Sequence, residues 1–466
     1  MWPTDLEYRC DLSAKLPWLS GLFQGRWFHL AVRLFGDGVF TFIILAGLFG
    51  PRDPDTNITL FLAWGLWWPS VVISWFLVGK MWCGFCPFPG LGRIFRRLGL
   101  CLNLPVPGWL RRHGVRLSVF GLALILWLEG ATDITHAPRG TALLMLAILA
   151  GATLSGLLFE HKAWCMHLCP MGRIIGPAAT ISLTEFRPDR DLCRECRTFE
   201  CKRGRDHLSG CPINLGAFNI RSSLSCHVCG YCVKLCQKNS LRLWLRSPFK
   251  ELVRNKGKHL ACSWVLPVLA GSQLLRFLEE TAHPIGIVCG GAGWCFMSLY
   301  AAGLALGVAY VAGMIQIGDR AFGLDRDPIL GRLSPTVPVV FPLAVTGELV
   351  YRLGYFLEWA PKAPAILGRH LKQGLFEGWL GRPGSGLNLP SRALDWAWVE
   401  AVFPSLELGL LLVGFAAGNY VLHRLATDEF PDLISPARRR LLLAVNMVML
   451  GTYVGVLYGG SVVPLL

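Results

Sequence analysis

Charged side chains are scarce in this sequence. Only 16% of its 466 residues are Asp, Glu, Lys or Arg, against roughly 25% in soluble globular domains. Acids are the scarcer sign, with 30 Asp and Glu against 45 Lys and Arg. The sequence also lacks a Gly-rich nucleotide loop and a recognisable nucleophile–base triad. These shortages argue against an ordinary soluble domain, a hydrolase or a transferase.

The sequence contains several long apolar runs instead. Hydrophobic residues make up 53% of the chain, and a bilayer-spanning helix needs about 20 mostly apolar residues. Nine candidate spans lie near residues 27–49, 58–79, 117–136, 141–159, 260–278, 293–317, 336–357, 398–422 and 440–463. The sequence therefore predicts an all-α polytopic membrane protein with about nine transmembrane helices.

Charge asymmetry predicts the orientation of these helices. The loop 80–116 holds seven Lys and Arg and no acid, and the segment 160–258 holds eighteen against eight acids. Basic loops stay in the cytoplasm, so both segments are expected on the cytoplasmic side of a bacterial inner membrane. The net charge of +15 then indicates attraction to anionic lipid, and no nucleic-acid partner is expected.

One phrase occurs twice. The chain reads KMWCGFCP from Lys80 and KAWCMHLCP from Lys162, so two cysteine pairs fall at equivalent cytoplasmic helix ends. The four cysteines are Cys83, Cys86, Cys165 and Cys169. Their thiolates could hold an iron–sulfur cluster or another thiophilic metal, or form a dithiol redox pair. The alternative is four small buried residues. The first copy is one residue short, which would rotate Cys86 by about 100° on a helix.

Stronger chemistry lies between the fourth and fifth predicted spans. The run CHVCGYCVKLC has the C-x2-C-x2-C-x3-C spacing of bacterial ferredoxins, and a stretched second run precedes it. Eight cysteines suit two [4Fe–4S] clusters, with the last cysteine of each run crossing to the other cluster. One cluster is assigned to Cys193, Cys196, Cys201 and Cys236, and the other to Cys211, Cys226, Cys229 and Cys232. Zinc is the rival, since C-x2-C pairs also bind it.

These patterns divide the chain into four parts. Residues 1–26 form a cytoplasmic N-terminal segment, and 27–180 hold the two repeated hairpins. Residues 181–257 form an inserted cytoplasmic ferredoxin-like domain, and 258–466 hold the C-terminal transmembrane helices.

The C-terminal helices carry polar residues at membrane depth. Glu348, Tyr351 and Tyr355 recur at helical spacing on one face, where they could bind a quinone head or form an interhelical hydrogen-bond network. Cys289 and Cys295 fall at the outer end of the sixth span, where an oxidising compartment permits a disulfide. The glycines beside them could instead bring backbone close to a cofactor.

The chain resembles the membrane-bound polyferredoxin proteins of anaerobic respiration. The resemblance covers about residues 27–255 and depends on the paired Cys–Pro phrases and the two cysteine runs. Family members include the quinol-dehydrogenase membrane subunit of nitrate respiration, the membrane regulator of nitrous oxide reductase, and the oxidase-assembly copper reductase. The spacing Cys165 to Pro170 matches the family phrase, whereas Cys83 to Pro87 is one residue shorter.

The sequence thus predicts an iron–sulfur electron-transfer protein. It would link cytoplasmic-side clusters to quinone or to a periplasmic cytochrome or reductase, either alone or as a subunit of a larger complex. If it is an enzyme, it is an oxidoreductase resembling a quinol dehydrogenase. The alternative is an assembly or maturation factor that reduces metal or thiols for a respiratory enzyme.

Overall fold

The structure is a computed structural model. It describes residues 5–25, 27–160, 163–205, 208–254, 260–290, 293–320, 334–364, 366–367, 397–432 and 434–462. Its long helices are α1 (Phe28–Phe49), α2 (Ile58–Val78, with a π-helical stretch), α3 (Gly108–Ala131), α4 (Pro138–Leu158), α5 (Leu260–Ala282), α6 (Gly293–Arg320), α7 (Val337–Trp359), α8 (Ala397–Arg424) and α9 (Pro436–Val462).

Eight helices in the described part of the chain are long and apolar enough to cross a membrane, which is compatible with a multi-pass membrane protein. The helix outside this set is α5. It carries Gln273, Arg276, Glu279 and Glu280 near its C-terminal end, and these polar side chains lower its hydropathy. The fifth predicted span is therefore a helix whose membrane crossing stays a prediction.

The chain forms two compact units, each assembled from three segments. The first comprises Met1–Phe42, Ile73–Gly121 and Met145–Leu252, and the second comprises Ile43–Val72, Leu122–Leu144 and Val253–Leu466. All cysteines of the doubled phrase and of the two runs belong to the first unit. The polar residues of the C-terminal helices belong to the second.

A three-stranded antiparallel sheet supports the cysteine-rich part of the first unit. Its central strand is β5 (Leu241–Arg246), flanked by β1 (Arg9–Asp11) and β2 (Thr184–Pro188). The strands β3 (Gly204–Arg205) and β4 (Leu208–Ser209) form a separate hairpin. The outer strand β1 comes from the N-terminal segment, so the sheet joins residues that are far apart in the sequence.

The core above this sheet also recruits the N-terminal segment. Phe23 lies on a short helix, Pro17–Gln24, and its ring meets that of Phe186 edge-on at 5.4 Å. Both rings are almost fully buried in one cluster with Val228 and Leu243. Burying side chains of this size stabilises the domain by about 1.5–3 kcal/mol each.

In the second unit, α7 is buried along most of its length and packs against α5, α8 and α9. The helices α5 and α6 meet at Gly271 and Gly307. A Cβ added to Gly271 would lie 2.5 Å from the carbonyl carbon of Gly307. Small residues permit such close helix packing in membranes.

Candidate metal centres

Two neighbouring cavities in the first unit are lined by the cysteines of the two runs. The first, the Cys193 cavity, is bordered by Cys193, Cys196, Cys201 and Cys236 and contains about 400 Å³ of free space, counted to its open mouth. The second, the Cys226 cavity, is bordered by Cys211, Cys226, Cys229 and Cys232 and contains about 360 Å³ by the same measure. The structure thus brings together the same two sets of four cysteines that the crossed arrangement groups.

Local backbone structure directs these thiols inward. Asp189 caps the short helix Arg190–Arg194 by accepting hydrogen bonds from the amides of Asp191 and Leu192, which fixes the turn that carries Cys193. In the other run, Val228 and Gly230 have positive φ angles of 49° and 75°. These residues coil the chain tightly enough for closely spaced cysteines to face one cavity.

Gly230 is required for a second reason. A Cβ at this position would lie 2.2 Å from Cδ1 of Phe23. The N-terminal segment therefore packs directly against the cysteine run, and a larger residue would push them apart.

Backbone amides point at several of the sulfurs. Ala217 donates to Sγ of Cys201 at 3.4 Å, Val228 to Cys226 at 3.4 Å, and Ser240 to Cys236 at 3.3 Å. Such donors stabilise a thiolate and tune the potential of a cluster bound to it. The donor set and the cavities therefore fit [4Fe–4S] clusters.

The thiols differ in their electrostatic surroundings. Burial raises the pKa of Cys226 to about 11, whereas a hydrogen bond from the Phe199 backbone lowers the pKa of the exposed Cys196 thiol. A thiol must lose its proton before it can bind metal. Loading iron into the Cys226 cavity therefore releases protons that its buried thiols otherwise keep at neutral pH.

Among the described residues, no group of three or more His, Cys, Asp or Glu side chains is spaced to hold a single metal ion. A single zinc ion would draw its thiolates to about 2.3 Å from one point. A cubane cluster keeps its four thiolates farther apart, because each binds a different iron atom.

The four cysteines of the doubled phrase, here called the Cys–Pro site, also lie close together. Desolvation raises the pKa of the Cys86 thiol well above its usual range, and Cys165, Cys83 and Cys169 raise it further. Burial likewise raises the pKa of Cys169 to about 12, with Cys165 and Cys83 contributing. These mutual effects place all four thiols within one electrostatic neighbourhood.

The structure explains how copies of unequal length reach equivalent geometry. In the first copy an α-helix, Met81–Phe85, ends at Cys86. In the second copy the turn Trp164–Leu168 is π-helical, and the amide of Cys169 donates to the carbonyl of Trp164, five residues back, at 2.8 Å. The wider π turn accommodates the extra residue.

The second cysteine of each pair therefore takes the same role. Cys86 and Cys169 both follow the helical turn with extended ψ angles of 129° and 114°, and a proline follows each. The extra residue of the second copy therefore falls within a wider π turn, whereas the notional rotation of Cys86 assumed two turns of the same type.

The Cys–Pro site abuts the Cys226 cavity. A Cβ on Gly84, which lies between Cys83 and Cys86, would be 2.4 Å from Cβ of Cys229. His29 on α1 also contacts Cys229, since its Nε2 lies 3.0 Å from the Cys229 carbonyl oxygen. The Cys–Pro site and the Cys226 cavity thus share the contact between Gly84 and Cys229.

The residues considered for a quinone lie in an ion network in the second unit. Glu348 accepts hydrogen bonds from Arg352 at 2.7 Å, Gln273 at 3.0 Å and Arg276 at 3.2 Å. Arg352 also binds Glu129 of α3. Two carboxylates and two guanidinium groups, all fully or almost fully buried, balance one another.

The two tyrosines belong to the same network. Tyr351 and Tyr355 share a hydrogen bond of 2.9 Å, and Tyr355 donates to Glu129 at 3.2 Å. All three predicted side chains are thus engaged with protein groups, which favours the interhelical network over a quinone site. Sequence reasoning missed Glu129, Arg276 and Arg352, although each is an ionisable residue within or beside a predicted span.

Cys289 and Cys295 form a disulfide with Cα atoms 5.6 Å apart. The disulfide alternative is therefore the one that the structure adopts. Of the glycines beside the two cysteines, Gly291 lies outside the described residues.

A family model described as a 4Fe-4S binding domain matches residues 60–113 and 141–179. The two matched segments contain all four cysteines of the Cys–Pro site and none of those that line the two cavities. The iron–sulfur signature therefore extends to the doubled phrase.

Two curated proteins are similar over about two-fifths of the chain. The methylamine utilization ferredoxin-type protein MauN of Paracoccus denitrificans is 27% identical over 216 residues, covering 40% of this chain and 70% of that protein. An uncharacterized protein of Methanocaldococcus jannaschii is 22% identical over 199 residues, covering 42% and 73% respectively. No solved structure matches the chain. These matches support an iron–sulfur protein of the ferredoxin type with membrane helices.

Proposed function

We propose that the protein transfers electrons across the cytoplasmic face of a bacterial inner membrane, through two [4Fe–4S] clusters in the cavities and a further cluster at the Cys–Pro site. The observation that carries this proposal is the arrangement of twelve thiols in three sets of four, two of which share the Gly84–Cys229 contact. A [4Fe–4S] cluster supplies one-electron chemistry when bound.

The chain's own residues would hold and orient these groups. The amides of Ala217, Val228 and Ser240 donate to the cysteine sulfurs. The short Gly84 contact supports direct passage between this cavity and the Cys–Pro site. The 4Fe-4S family match over residues 60–113 and 141–179 supports the third cluster.

We propose that the clusters exchange electrons with quinone or with a periplasmic redox protein. The ferredoxin-type name of the Paracoccus relative supports a role in electron transfer. The geometry around Glu348 does not favour that residue as the quinone ligand, so the quinone contact would lie elsewhere.

The experiment combines EPR with iron analysis on anaerobically purified protein. Cys229→Ala should remove or convert one cluster and leave the other, because metal binding and folding of the domain are coupled. Cys101→Ala is the matched control, since this half-buried cysteine belongs to none of the three sets. Equal spectra for the two variants would contradict the proposal.

The second candidate function is a reductase that keeps metal or thiols reduced during assembly of a respiratory enzyme. The partly exposed cysteines of the Cys–Pro site favour it, since a thiol reductant has to reach its target. Quinol-dependent reduction of added periplasmic cytochrome c would support electron transfer. Reduction of copper without cytochrome reduction would support assembly.

A further inference from the structure

Lys80, the first residue of the doubled phrase, is a buried cation. It is only 8% exposed and lies immediately before the helix Met81–Phe85. Burying an ammonium group costs several kcal/mol unless negative charge lies nearby. No carboxylate among the residues that the structure describes forms an ion pair with it. The thiolates that a bound cluster requires at the neighbouring cysteines would balance its charge.

The ammonium lies between two sets of these thiols. A Cβ on Gly176 would be 3.5 Å from Nζ of Lys80 and 3.1 Å from the carbonyl oxygen of Leu224. Gly176 belongs to the helix Pro170–Ala178, which Cys169 caps, and Leu224 lies two residues before Cys226. Because Gly176 has no side chain, the ammonium group of Lys80 can lie close to the backbone of this helix.

One side chain therefore starts three residues before Cys83 of the Cys–Pro site and ends beside the backbone that leads to Cys226. Lys162, the corresponding residue of the second copy, lies outside the described residues.

We propose that Lys80 is a fixed positive charge shared by the Cys–Pro site and the Cys226 cavity, and that it raises the reduction potential of the group bound at each. The proposal rests on the proposed function, because both sites must hold one-electron groups. Each reduction adds one electron, and a nearby cation stabilises the more negative product. Net charge is one of the properties that set cluster potentials.

The test is a redox titration with dithionite, followed by EPR, on the full-length protein and three variants. Lys80→Gln should lower the midpoint potentials of both sites. A tenfold fall in the reduced fraction corresponds to about 59 mV for a one-electron couple. Lys80→Arg should restore potentials close to those of the parent protein. Lys15→Gln, which removes an exposed lysine of the same unit, should leave both unchanged.

Several results would overturn the proposal, and one pattern of iron loss would support it. Potentials unchanged in Lys80→Gln, or shifted at one site only, would show that Lys80 is not a shared charge. Loss of iron from Lys80→Gln, with normal iron and normal potentials in Lys80→Arg, would support a need for charge. Loss of iron from both would show that the shape of the side chain matters instead. An iron-free parent protein would refute the proposed function itself.

Discussion

Gly84 and Cys229 are in direct backbone contact, so closely that a methyl group on Gly84 would lie 2.4 Å from Cβ of Cys229. Real Cβ contacts are never this short, and neither atom is the flexible end of a side chain. The close approach joins the helix Met81–Phe85 of the doubled phrase to Cys229, which lies 145 positions farther along the sequence. We propose that this contact links the two sets of thiols in the electron route.

Gly84→Ala should therefore disturb this route without removing a thiol. We expect a loss of about 1–3 kcal/mol in stability, as for other overpacked positions, and slower electron transfer between the Cys226 cavity and the Cys–Pro site. Freeze-quench EPR would measure the transfer. Gly21→Ala is the control, because nothing lies within 4 Å of the added methyl group. Unchanged electron transfer in Gly84→Ala would show that the Gly84–Cys229 contact is not part of the proposed electron route.

Breaking the buried ion network should be costly. Glu129→Gln removes a charge that faces Arg352 and Arg276, and leaving a buried charge unpaired costs about 3–5 kcal/mol. Thermal unfolding in detergent should show this loss. Asp55→Asn breaks a much more exposed pair with Lys362 and should change stability by only about 0.5 kcal/mol. Equal effects would mean that the network does not hold the second unit together.

Stability should fall as the pH rises above about 6.5, owing to His136. Its Nε2 lies 2.7 Å from Glu358, and this hydrogen bond raises the pKa of the imidazole. The contribution is fully present below about pH 6.5, the usual value, and is lost as the pH rises through the raised pKa. The side chain is 41% exposed, so we expect no more than about 1 kcal/mol. His136→Gln should abolish this part of the pH dependence of melting; a variant that melts with the parent's pH profile would disprove the role.

A disulfide between Cys289 and Cys295 predicts that the start of α6 faces an oxidising compartment. Protein taken from cells under acid quench should show Cys289 and Cys295 resistant to alkylation until a reductant is added. Cys101 should be alkylated without reduction, and only from the cytoplasmic side. Free thiols at 289 and 295 in freshly quenched protein would contradict this assignment.

Part of this account follows from short-range sequence patterns. The grouping of the run cysteines could be predicted because three ligands of one cluster lie within a few residues of each other. The apolar runs likewise predict long helices, since length and composition alone suffice. The crossing of Cys236 to the Cys193 cavity needs only the known ferredoxin arrangement.

Other features depend on tertiary structure and left little trace in the sequence. The strand Arg9–Asp11 has three residues, too few for a periodic pattern, and forms only because β5 offers an edge. The spacing of Glu348 and Arg352 signals a pair, but Glu129 reaches them from another helix. The π turn at Trp164–Leu168 has no sequence period that would reveal it, so the rotation of Cys86 was expected from two turns of the same type.

The measurement that tests the central claim most directly is an iron and acid-labile sulfide count on anaerobically purified protein, read together with its EPR spectrum. Two cavity clusters require about eight iron atoms per chain, and a cluster at the Cys–Pro site adds about four more. The account predicts a total near the higher value, which falls to the lower one when Cys83, Cys86, Cys165 and Cys169 are all changed to Ser. Tightly bound zinc with no iron in the native protein would contradict it.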